Sequence, residues 1–457
     1  MNKIYNFKLL FLLLFVLTIL ISNGFINKFE GKEYKAYENT HTYSSLIHED
    51  TVHYFRSAQK ISEDLNDGKS FFSSGESYNF TFLYPRIIFI FNKLINSDSL
   101  IIDDLNLEIS FKNYKIFVFL QIIVYFLSIL FLRSNLSKLF NKNLANIVSI
   151  ILLINPILMQ WHLSILTESI FLSFLIIIIS FLIISKKNFQ FFIIGLFIGI
   201  LYAQRTIAFL YPLVFILFIF LLKENYLQRF LKFLSLTSGF LIILILIGLH
   251  NLNRADIFYF TPIQSKTDLQ TYLEPHILSK SQNLTMKEVD KFLKERSQDI
   301  LDKNNLNLEI ERDKIIFLNQ IRNKSLENIL KNKILTIKII SKNYFHSVLL
   351  NPVQVYYASK YQRWIDYKNS LDHSFWLKLR VIITLIFFSI STIGFYFSFR
   401  VLDLKLNMFL IFSCLYFFGV SCWLGNTRYF TPSVLFMSVY FSIFLDQFFF
   451  KFHRKIN

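Results

Sequence analysis

The chain has 457 residues, of which 54% are hydrophobic and only 17% are charged, whereas about a quarter of a soluble domain is charged. The apolar excess lies in long uncharged runs, which exclude a soluble protein. The net charge of +17 does not indicate a nucleic-acid partner. Lys and Arg concentrate in the loops predicted to lie on the inner side of a membrane, as the positive-inside rule requires.

Ten uncharged runs are each long enough for a helix to cross a bilayer, which takes roughly 17–25 residues. In chain order they are Leu9–Asn27, Ile116–Leu132, Leu144–Thr167, Ser169–Ser185, Asn188–Gln204, Thr206–Leu222, Phe233–Asn253, Val381–Phe399, Leu406–Thr427 and Tyr429–Leu445. The first run ends in Ile21-Ser22-Asn23-Gly24, a poor cleavage site, which favours a retained anchor over a cleaved signal sequence. The sequence therefore predicts an all-α polytopic membrane protein with about ten transmembrane helices.

The basic inner loops place both termini in the cytoplasm and leave two long segments outside, Lys28–Asn113 and about Arg254–Leu377. We accordingly divide the chain into three regions. Residues 1–250 form a membrane module of seven spans, and its outer loop 28–113 carries an acidic motif. Residues 251–377 form an outer, mainly helical cap, and residues 378–457 form the C-terminal membrane helices.

The outer segments also show helical patterns. An amphipathic helix is predicted from about Asp50 to Leu65, ended by Asn66-Asp67-Gly68. The next apolar run, Phe80–Ile95, is interrupted by Pro85 and Arg86, and we expect it to lie at the membrane interface. In the cap, apolar positions repeat with helical spacing over Met286–Asp302 and Leu308–Asn343.

Ionisable residues avoid the middle of every predicted span and collect at the outer ends. This outer rim carries Glu49, Asp50, Glu168, Arg205 and Arg428. Transporters and proton pumps place ionisable groups at the midplane, so the pattern favours a reaction at the outer leaflet. A carboxylate can act as a general base toward a hydroxyl, and an arginine can hold a phosphate through two parallel hydrogen bonds.

A series of short motifs then follows one order along the chain. It consists of Asp50-x-x-x-Tyr54-x-x-x-Ala58, Gly68, Tyr84-Pro85, Asn155-Pro156, Leu166-Thr167-Glu168-Ser169, Gly195-x-x-x-Gly199, Arg205, Tyr211-Pro212, Asn251-x-x-Arg254 and Asn426-Thr427-Arg428-Tyr429-x-x-Pro432. In this order the chain resembles the GT-C-type integral-membrane glycosyltransferases, which use polyprenyl-phosphate sugars as donors. The branch of protein O-mannosyltransferases and aminoarabinose transferases is the most similar in style.

The resemblance implies a one-step, inverting transfer of a sugar to an acceptor hydroxyl at the outer face of the membrane. Its expected site residues are Asp50 as base with Glu49 or Glu168 assisting, Arg205, Arg428 and Arg254 at the donor phosphate, and Tyr54 and Tyr429 in support. Family members often carry an Asp-Glu pair where this chain has Glu49-Asp50, which leaves open which carboxylate reacts. The implied location is a bacterial inner membrane, with the site facing the periplasm or exterior.

Several questions stay open at this stage. The acceptor is a glycan, a lipid or a protein, and the partners include membrane lipids but no nucleic acid. No cofactor is assigned, although carboxylates can hold a divalent metal. A flippase or exporter of lipid-linked glycans, and an O-antigen polymerase or ligase, are the alternatives. Each rim residue also has a structural interpretation: helix-start acids at Glu49 and Asp50, Thr167 capping the helix that contains Glu168, and arginines that snorkel to the headgroups.

Overall fold

A computed structural model describes residues 7–27, 49–75, 81–95, 100–103, 106–109, 111–262, 268–349, 371–421 and 427–451. Its helices in chain order are α1 Phe7–Asn27, α2 Glu49–Asn66, α3 Tyr84–Leu94, α4 Phe111–Leu139, α5 Lys142–Ile154, α6 Pro156–Met159, α7 Thr167–Ile184, α8 Asn188–Gln204, α9 Pro212–Phe220, α10 Tyr226–Ala255, α11 Glu274–Ser281, α12 Met286–Asn304, α13 Glu311–Lys331, α14 Lys333–Leu349, α15 Leu371–Val401, α16 Leu404–Ser421 and α17 Thr431–Leu445. Single 3₁₀ or π turns cover Gln160–Leu163, Thr206–Ala208, Leu269–Leu273, Thr427–Phe430 and Asp446–Lys451.

The described helices include five that are long and apolar enough to cross a membrane, or six if the bent pair α5–α6 counts as one span. The five are Asn113–Leu139, Thr167–Ile184, Tyr226–Ala255, Val381–Val401 and Thr431–Phe449. Shorter apolar helices occupy the other predicted spans, at Leu10–Gly24, Asn188–Gln204, Thr206–Phe220 and Leu404–Val420. The mainly helical architecture with several apolar helices of membrane-crossing length is therefore confirmed, while the count of ten spans stays a prediction.

The third predicted span, Leu144–Thr167, is broken rather than continuous. Its two helical pieces, Lys142–Ile154 and Pro156–Leu163, meet at an angle of 51°. Pro156 has no backbone N–H and cannot continue the ladder of α5. Asn155 adopts an extended conformation, and its side chain accepts a hydrogen bond from the Ile157 amide at 3.0 Å. The bend turns the following residues into the bundle, where Trp161 Nε1 donates to Thr431 Oγ1 at 2.8 Å.

The membrane helices pack closely where glycines allow it. A Cβ atom at Gly195 of α8 would collide with the carbonyl oxygen of Leu236 in α10, and one at Gly239 would collide with the carbonyl oxygen of Phe192. Small residues at a helix interface let two backbones approach in this way. The Gly195-x-x-x-Gly199 pattern thus has a packing explanation.

The outer helices follow the predicted amphipathic patterns. Helix α2, Glu49–Asn66, matches the prediction of Asp50–Leu65, and Gly68 follows it with a φ of +83°, a conformation that suits glycine. Helix α3 starts at Tyr84 with Pro85 in its first turn, where proline is tolerated. The structure also contains an antiparallel hairpin, Leu100–Asp103 paired with Asn106–Ile109, that the all-α prediction missed.

The cap helices differ from the prediction at one place. Helix α12 runs over Met286–Asn304, as expected, but the predicted helix Leu308–Asn343 is two helices, α13 and α14. Asn332 separates them. Its side chain donates to the carbonyl oxygen of Asn328 at 2.9 Å, and asparagine side chains that bond to the local backbone compete with helix continuation.

Candidate active site

A buried ion pair lies at the start of α7. Glu168 is 1% exposed and Arg205 is 6% exposed. The Arg205 Nη1 donates to Glu168 Oε1 at 2.7 Å. The structural interpretation in which Thr167 caps this helix is wrong, because Leu166 is the N-cap residue. The Thr167 hydroxyl instead lies 3.3 Å from Glu168 Oε2. We call Glu168 and Arg205 the rim pair.

Arg205 is held inside the bundle rather than reaching the headgroups. It ends α8 in an extended conformation, with φ at −152°. Its guanidinium lies 4.8 Å from the ring centre of Tyr429 and 5.8 Å from that of Phe171, close enough for cation–π attraction. Burial lowers the pKa of Arg205, while nearby Tyr429, Tyr54 and Asp50 favour its charged form. The predicted site residues Asp50, Tyr54, Arg205 and Tyr429 therefore share one environment.

The start of α2 is fixed to the turn that precedes the rim pair. The buried Thr51 hydroxyl donates to the carbonyl oxygen of Ile165 at 3.0 Å. This bond joins residues that are far apart in the chain, and Asp50 is the residue before Thr51. The sequence order thus places the Asp50 carboxylate at the first turn of a helix anchored beside Glu168.

Buried aromatic and amide groups strengthen this junction. The rings of Tyr54 and Tyr84 meet edge to face with centroids 5.0 Å apart. The Tyr84 hydroxyl donates to Gln121 Oε1 at 2.9 Å, and Gln121 Nε2 donates to the carbonyl oxygen of Ser164 at 3.1 Å. Tyr54 is part of the packing that holds α2 on the bundle, and its supporting role at the site stays a prediction.

Asp268, at the start of the cap, is a further acidic residue of this environment. Burial raises the pKa of Asp268 to about 6, and the charge of Asp50 adds to the increase. The two carboxylates therefore lie within electrostatic reach of each other. Sequence reasoning missed Asp268, because no local motif surrounds it and only the fold brings the cap to α2.

For three predicted site residues, the described side chains show no contact with the environment of the rim pair. Arg254 lies 3.5 Å from Asp64 Oδ2 and 4.0 Å from Glu311 Oε1. Asp64 is on the same helix as Asp50, and a helix rise of about 1.5 Å per residue puts the two positions roughly 21 Å apart. The side chains of Glu49 and Arg428 lie outside the described part. Glu49 is the first residue of α2, and Arg428 lies in the 3₁₀ turn Thr427–Phe430, directly before Tyr429.

A metal site is not evident in the part of the chain that the structure describes. There, no group of three or more His, Cys, Asp or Glu side chains is placed to hold a metal ion. Asp50 and Asp268 are two carboxylates that influence each other electrostatically, and oxygen ligands of this kind suit Mg²⁺ or Mn²⁺.

No protein-family model and no curated protein matches the sequence. The structure is similar to the crystal structure of the apo oligosaccharyltransferase of Archaeoglobus fulgidus, with a TM-score of 0.50 and 11% sequence identity. The match covers 100% of this chain and 52% of that enzyme, so the chain spans about half of its length. The chain has a GT-C-like fold. A second structure of the same enzyme, in complex with an inhibitory peptide and a dolichol-phosphate, is similar with a TM-score of 0.49 and 13% identity, covering 98% and 51% of the two chains.

Within this GT-C-like fold, the environment around the rim pair combines three chemical functions. Asp50 and Asp268 supply carboxylates that can accept a proton. Arg205 supplies a delocalised cation that matches a phosphate. The aromatic rings of Tyr54 and Tyr429 lower the local polarity, which strengthens interactions between charges.

Proposed function

We propose that the protein is a membrane glycosyltransferase that moves a sugar from a polyprenyl-phosphate-linked donor to an acceptor hydroxyl at the outer face of the membrane. The observation that supports it most is the anchoring of α2 through Thr51 to Ile165. That contact fixes the helix turn that carries Asp50 beside the rim pair, and the charge of Asp50 acts on the buried Arg205, in a chain with a GT-C-like fold. We infer that the membrane is a bacterial inner membrane, with the site facing the periplasm or exterior.

The proposed reaction is a single inverting displacement. The acceptor oxygen attacks the anomeric carbon of the sugar, and the bond from that carbon to the phosphate oxygen breaks. The electron pair leaves with the polyprenyl phosphate, and Asp50 accepts the proton of the acceptor hydroxyl, with Glu49 as its neighbour. Arg205 and Arg428 stabilise the phosphate charge as it develops.

We assign Glu168 a positioning role in this reaction rather than that of an assisting base. Its carboxylate is buried and accepts a hydrogen bond from the Arg205 guanidinium. A carboxylate paired in this way orients the arginine and compensates its buried charge. Tyr429 adds a ring against the same guanidinium.

Transport is a weaker proposal for this chain. The middle of each described membrane helix carries no Asp, Glu, Lys or Arg. Flippases and exporters that pass charged headgroups need polar groups along their path. The charged side chains discussed above lie instead at one end of the bundle, which suits chemistry at a surface.

The test is a transfer assay with the full chain in proteoliposomes. Undecaprenyl-phosphate-linked hexoses serve as donor probes, and release of undecaprenyl phosphate is measured. We expect Asp50→Asn to lower the rate by about 10²–10⁴-fold, the usual contribution of a general base. The matched control is Glu63→Gln, an exposed carboxylate on the same helix, which should leave the rate unchanged. Equal rates for Asp50→Asn and Glu63→Gln would contradict the assignment.

Two further arms define the donor and the metal. A monosaccharide on a monophosphate lipid is compared with an oligosaccharide on a diphosphate lipid, since the protein of similar fold is an oligosaccharyltransferase. Preference for the oligosaccharide donor would favour the polymerase or ligase alternative. Each assay is repeated with EDTA and with added Mn²⁺. Loss of transfer with EDTA and its recovery with Mn²⁺ would identify a metal-dependent enzyme.

A further inference from the structure

Helix α14, Lys333–Leu349, has one covered face and one open face. On the covered face, Ile339 is buried and packs with Leu273 and Ile277 of the cap. On the open face, Ile334 is 74% exposed and Phe345 is 73% exposed. Large apolar side chains that are exposed together mark a surface that contacts a partner or a membrane.

The open face has a regular composition. Ile334, Ile337, Ser341 and Phe345 follow each other at spacings of three and four residues, so they form one stripe along the helix. Exposed lysines, among them Lys338 and Lys342, stand beside the stripe, and the range 333–349 contains no Asp or Glu. A helix with an apolar stripe and a basic border is the pattern of helices that lie on anionic membranes.

The C-terminal end of α14 is fixed to the outer end of a membrane helix. The Tyr344 hydroxyl donates to the carbonyl oxygen of Gly419 at 2.6 Å. The Tyr344 ring lies 5.3 Å from that of Phe418. Both partners belong to the last turn of α16, Leu404–Ser421. In the predicted topology this turn is the outer end of α16, so exposed Phe345 lies beside the outer end of a membrane helix.

The lysines of α14 need their own explanation. The positive-inside rule accounts for basic residues in inner loops, whereas α14 belongs to the outer cap. Lipid phosphates at the outer surface would supply the opposite charge. Each lysine near the surface then stabilises the docked helix by roughly 1 kcal/mol, or about fivefold in the docking equilibrium.

We propose that α14 lies on the outer surface of the bilayer that the protein spans, with its apolar stripe in the acyl boundary and Lys338 and Lys342 at anionic lipid headgroups. The proposal goes beyond the proposed function and does not depend on it. It follows from the open apolar stripe, the one-sided charge and the continuity with the end of α16.

The test measures the depth of nitroxide labels at Ser341→Cys and Ile334→Cys, in a chain with Cys414→Ser and Cys422→Ser. The full protein is placed in nanodiscs of phosphatidylcholine alone or mixed equally with phosphatidylglycerol. Collisions with oxygen report lipid, and collisions with a nickel chelate report water. Lys291→Cys is the control, because Lys291 is 76% exposed on helix α12.

We expect both α14 labels to favour oxygen in the anionic nanodiscs and the Lys291→Cys label to favour the nickel chelate. Lys338→Gln with Lys342→Gln should shift the α14 labels toward water, by roughly fivefold in the docked ratio for each lysine. Three outcomes would overturn the proposal. In the first, the Ile334→Cys label is exposed to water in both kinds of nanodisc. In the second, the α14 labels are shielded from both oxygen and the nickel chelate, as in a contact between two copies. In the third, the α14 labels are equally accessible in neutral and anionic nanodiscs. Size-exclusion profiles of all variants confirm folding.

Discussion

In the part of the chain that the structure describes, Glu168–Arg205 and Glu274–Arg296 are two ion pairs with a buried carboxylate, and they have the same chemistry in different surroundings. In the cap pair, Glu274 accepts hydrogen bonds from Arg296 Nη1 and Nη2 at 2.5 and 2.8 Å. Ser325 Oγ and Asn328 Nδ2 each add another, at 2.6 Å. In the rim pair, one hydrogen bond joins Arg205 Nη1 to Glu168 Oε1. Tyr429 also hydrogen-bonds to Arg205, and Tyr54 and Asp50 favour its charge from a separate helix.

The difference separates a structural pair from a candidate catalytic pair. Burial alone would raise the pKa of Glu274, but its hydrogen bonds from Arg296, Ser325 and Asn328 outweigh burial and hold the pKa below its usual value. Those four bonds saturate the carboxylate within the cap. Arg205 instead has a pKa lowered by burial and a charge that Asp50 and two tyrosines favour. The Arg205 guanidinium therefore interacts with groups from several elements, whereas that of Arg296 gives two hydrogen bonds to one carboxylate of the cap.

The largest expected effect is on the stability of the cap. Glu274→Ala removes a buried carboxylate that pairs with the partly buried Arg296 and leaves Ser325 and Asn328 without their acceptor. Breaking a buried pair in this way costs about 3–5 kcal/mol. Amide hydrogen exchange in α12 and α13 measures the loss. Glu295→Ala, which removes an exposed carboxylate from α12, should cost at most about 1 kcal/mol. Similar exchange rates in both variants would show that the cap does not depend on this pair.

The second expected effect separates the pairs by activity. Arg205→Lys keeps the positive charge but loses the planar fork of hydrogen-bond donors. We expect the rate of sugar transfer to fall by about 10²-fold, the usual loss when one donor to a developing anion is removed. Arg296→Lys is the matched change in the cap pair and should leave the rate near that of the original protein. Equal losses in the two variants would remove the distinction between the pairs.

Local patterns predicted the outer helices well and the contacts between them poorly. The amphipathic period of α2 placed its ends within one residue, because that period is a property of a short segment. Topology placed Glu168 and Arg205 at the same end of consecutive spans, but not their mutual pairing. The break at Asn332 and the approach of Asp268 to Asp50 depend on side-chain bonding and on long-range packing, which a hydropathy pattern does not contain.

The third prediction concerns the pH dependence of stability, to which Asp268 and Glu274 contribute in opposite directions. The folded-state pKa of Asp268 is about 6, above the usual 3.8, so the folded protein binds more protons between these values. Its contribution to stability is complete at low pH and is lost as the pH rises through 6. The pKa of Glu274 is lowered from 4.5, so its contribution is complete above that value and is lost as the pH falls through the folded-state pKa.

Hydrogen exchange of the cap amides, measured from acid pH to above pH 6, tests both directions of the pH dependence. Asp268→Asn should remove the loss of stability between about pH 4 and 6 on raising the pH, and leave the acid-side loss in place. Glu274→Gln should remove part of the loss of stability at acid pH and leave the loss on raising the pH from about 4 to 6 unchanged. A pH profile that Asp268→Asn does not alter would show that this carboxyl titrates near its usual value and is not crowded by Asp50.

The smallest expected effect is at Arg254, which the sequence placed at the donor phosphate. Asp64 also accepts hydrogen bonds from Lys69 Nζ at 2.6 Å and from the Gly75 amide at 2.8 Å. Because these partners remain, Arg254→Gln should cost about 1 kcal/mol of stability. The KM for the polyprenyl-phosphate donor should stay unchanged, since Arg254 of α10 pairs with Asp64, toward the opposite end of α2 from Asp50. A large rise in this KM, matching that of Arg205→Lys, would instead return Arg254 to the phosphate site and require the cap to move toward the rim pair.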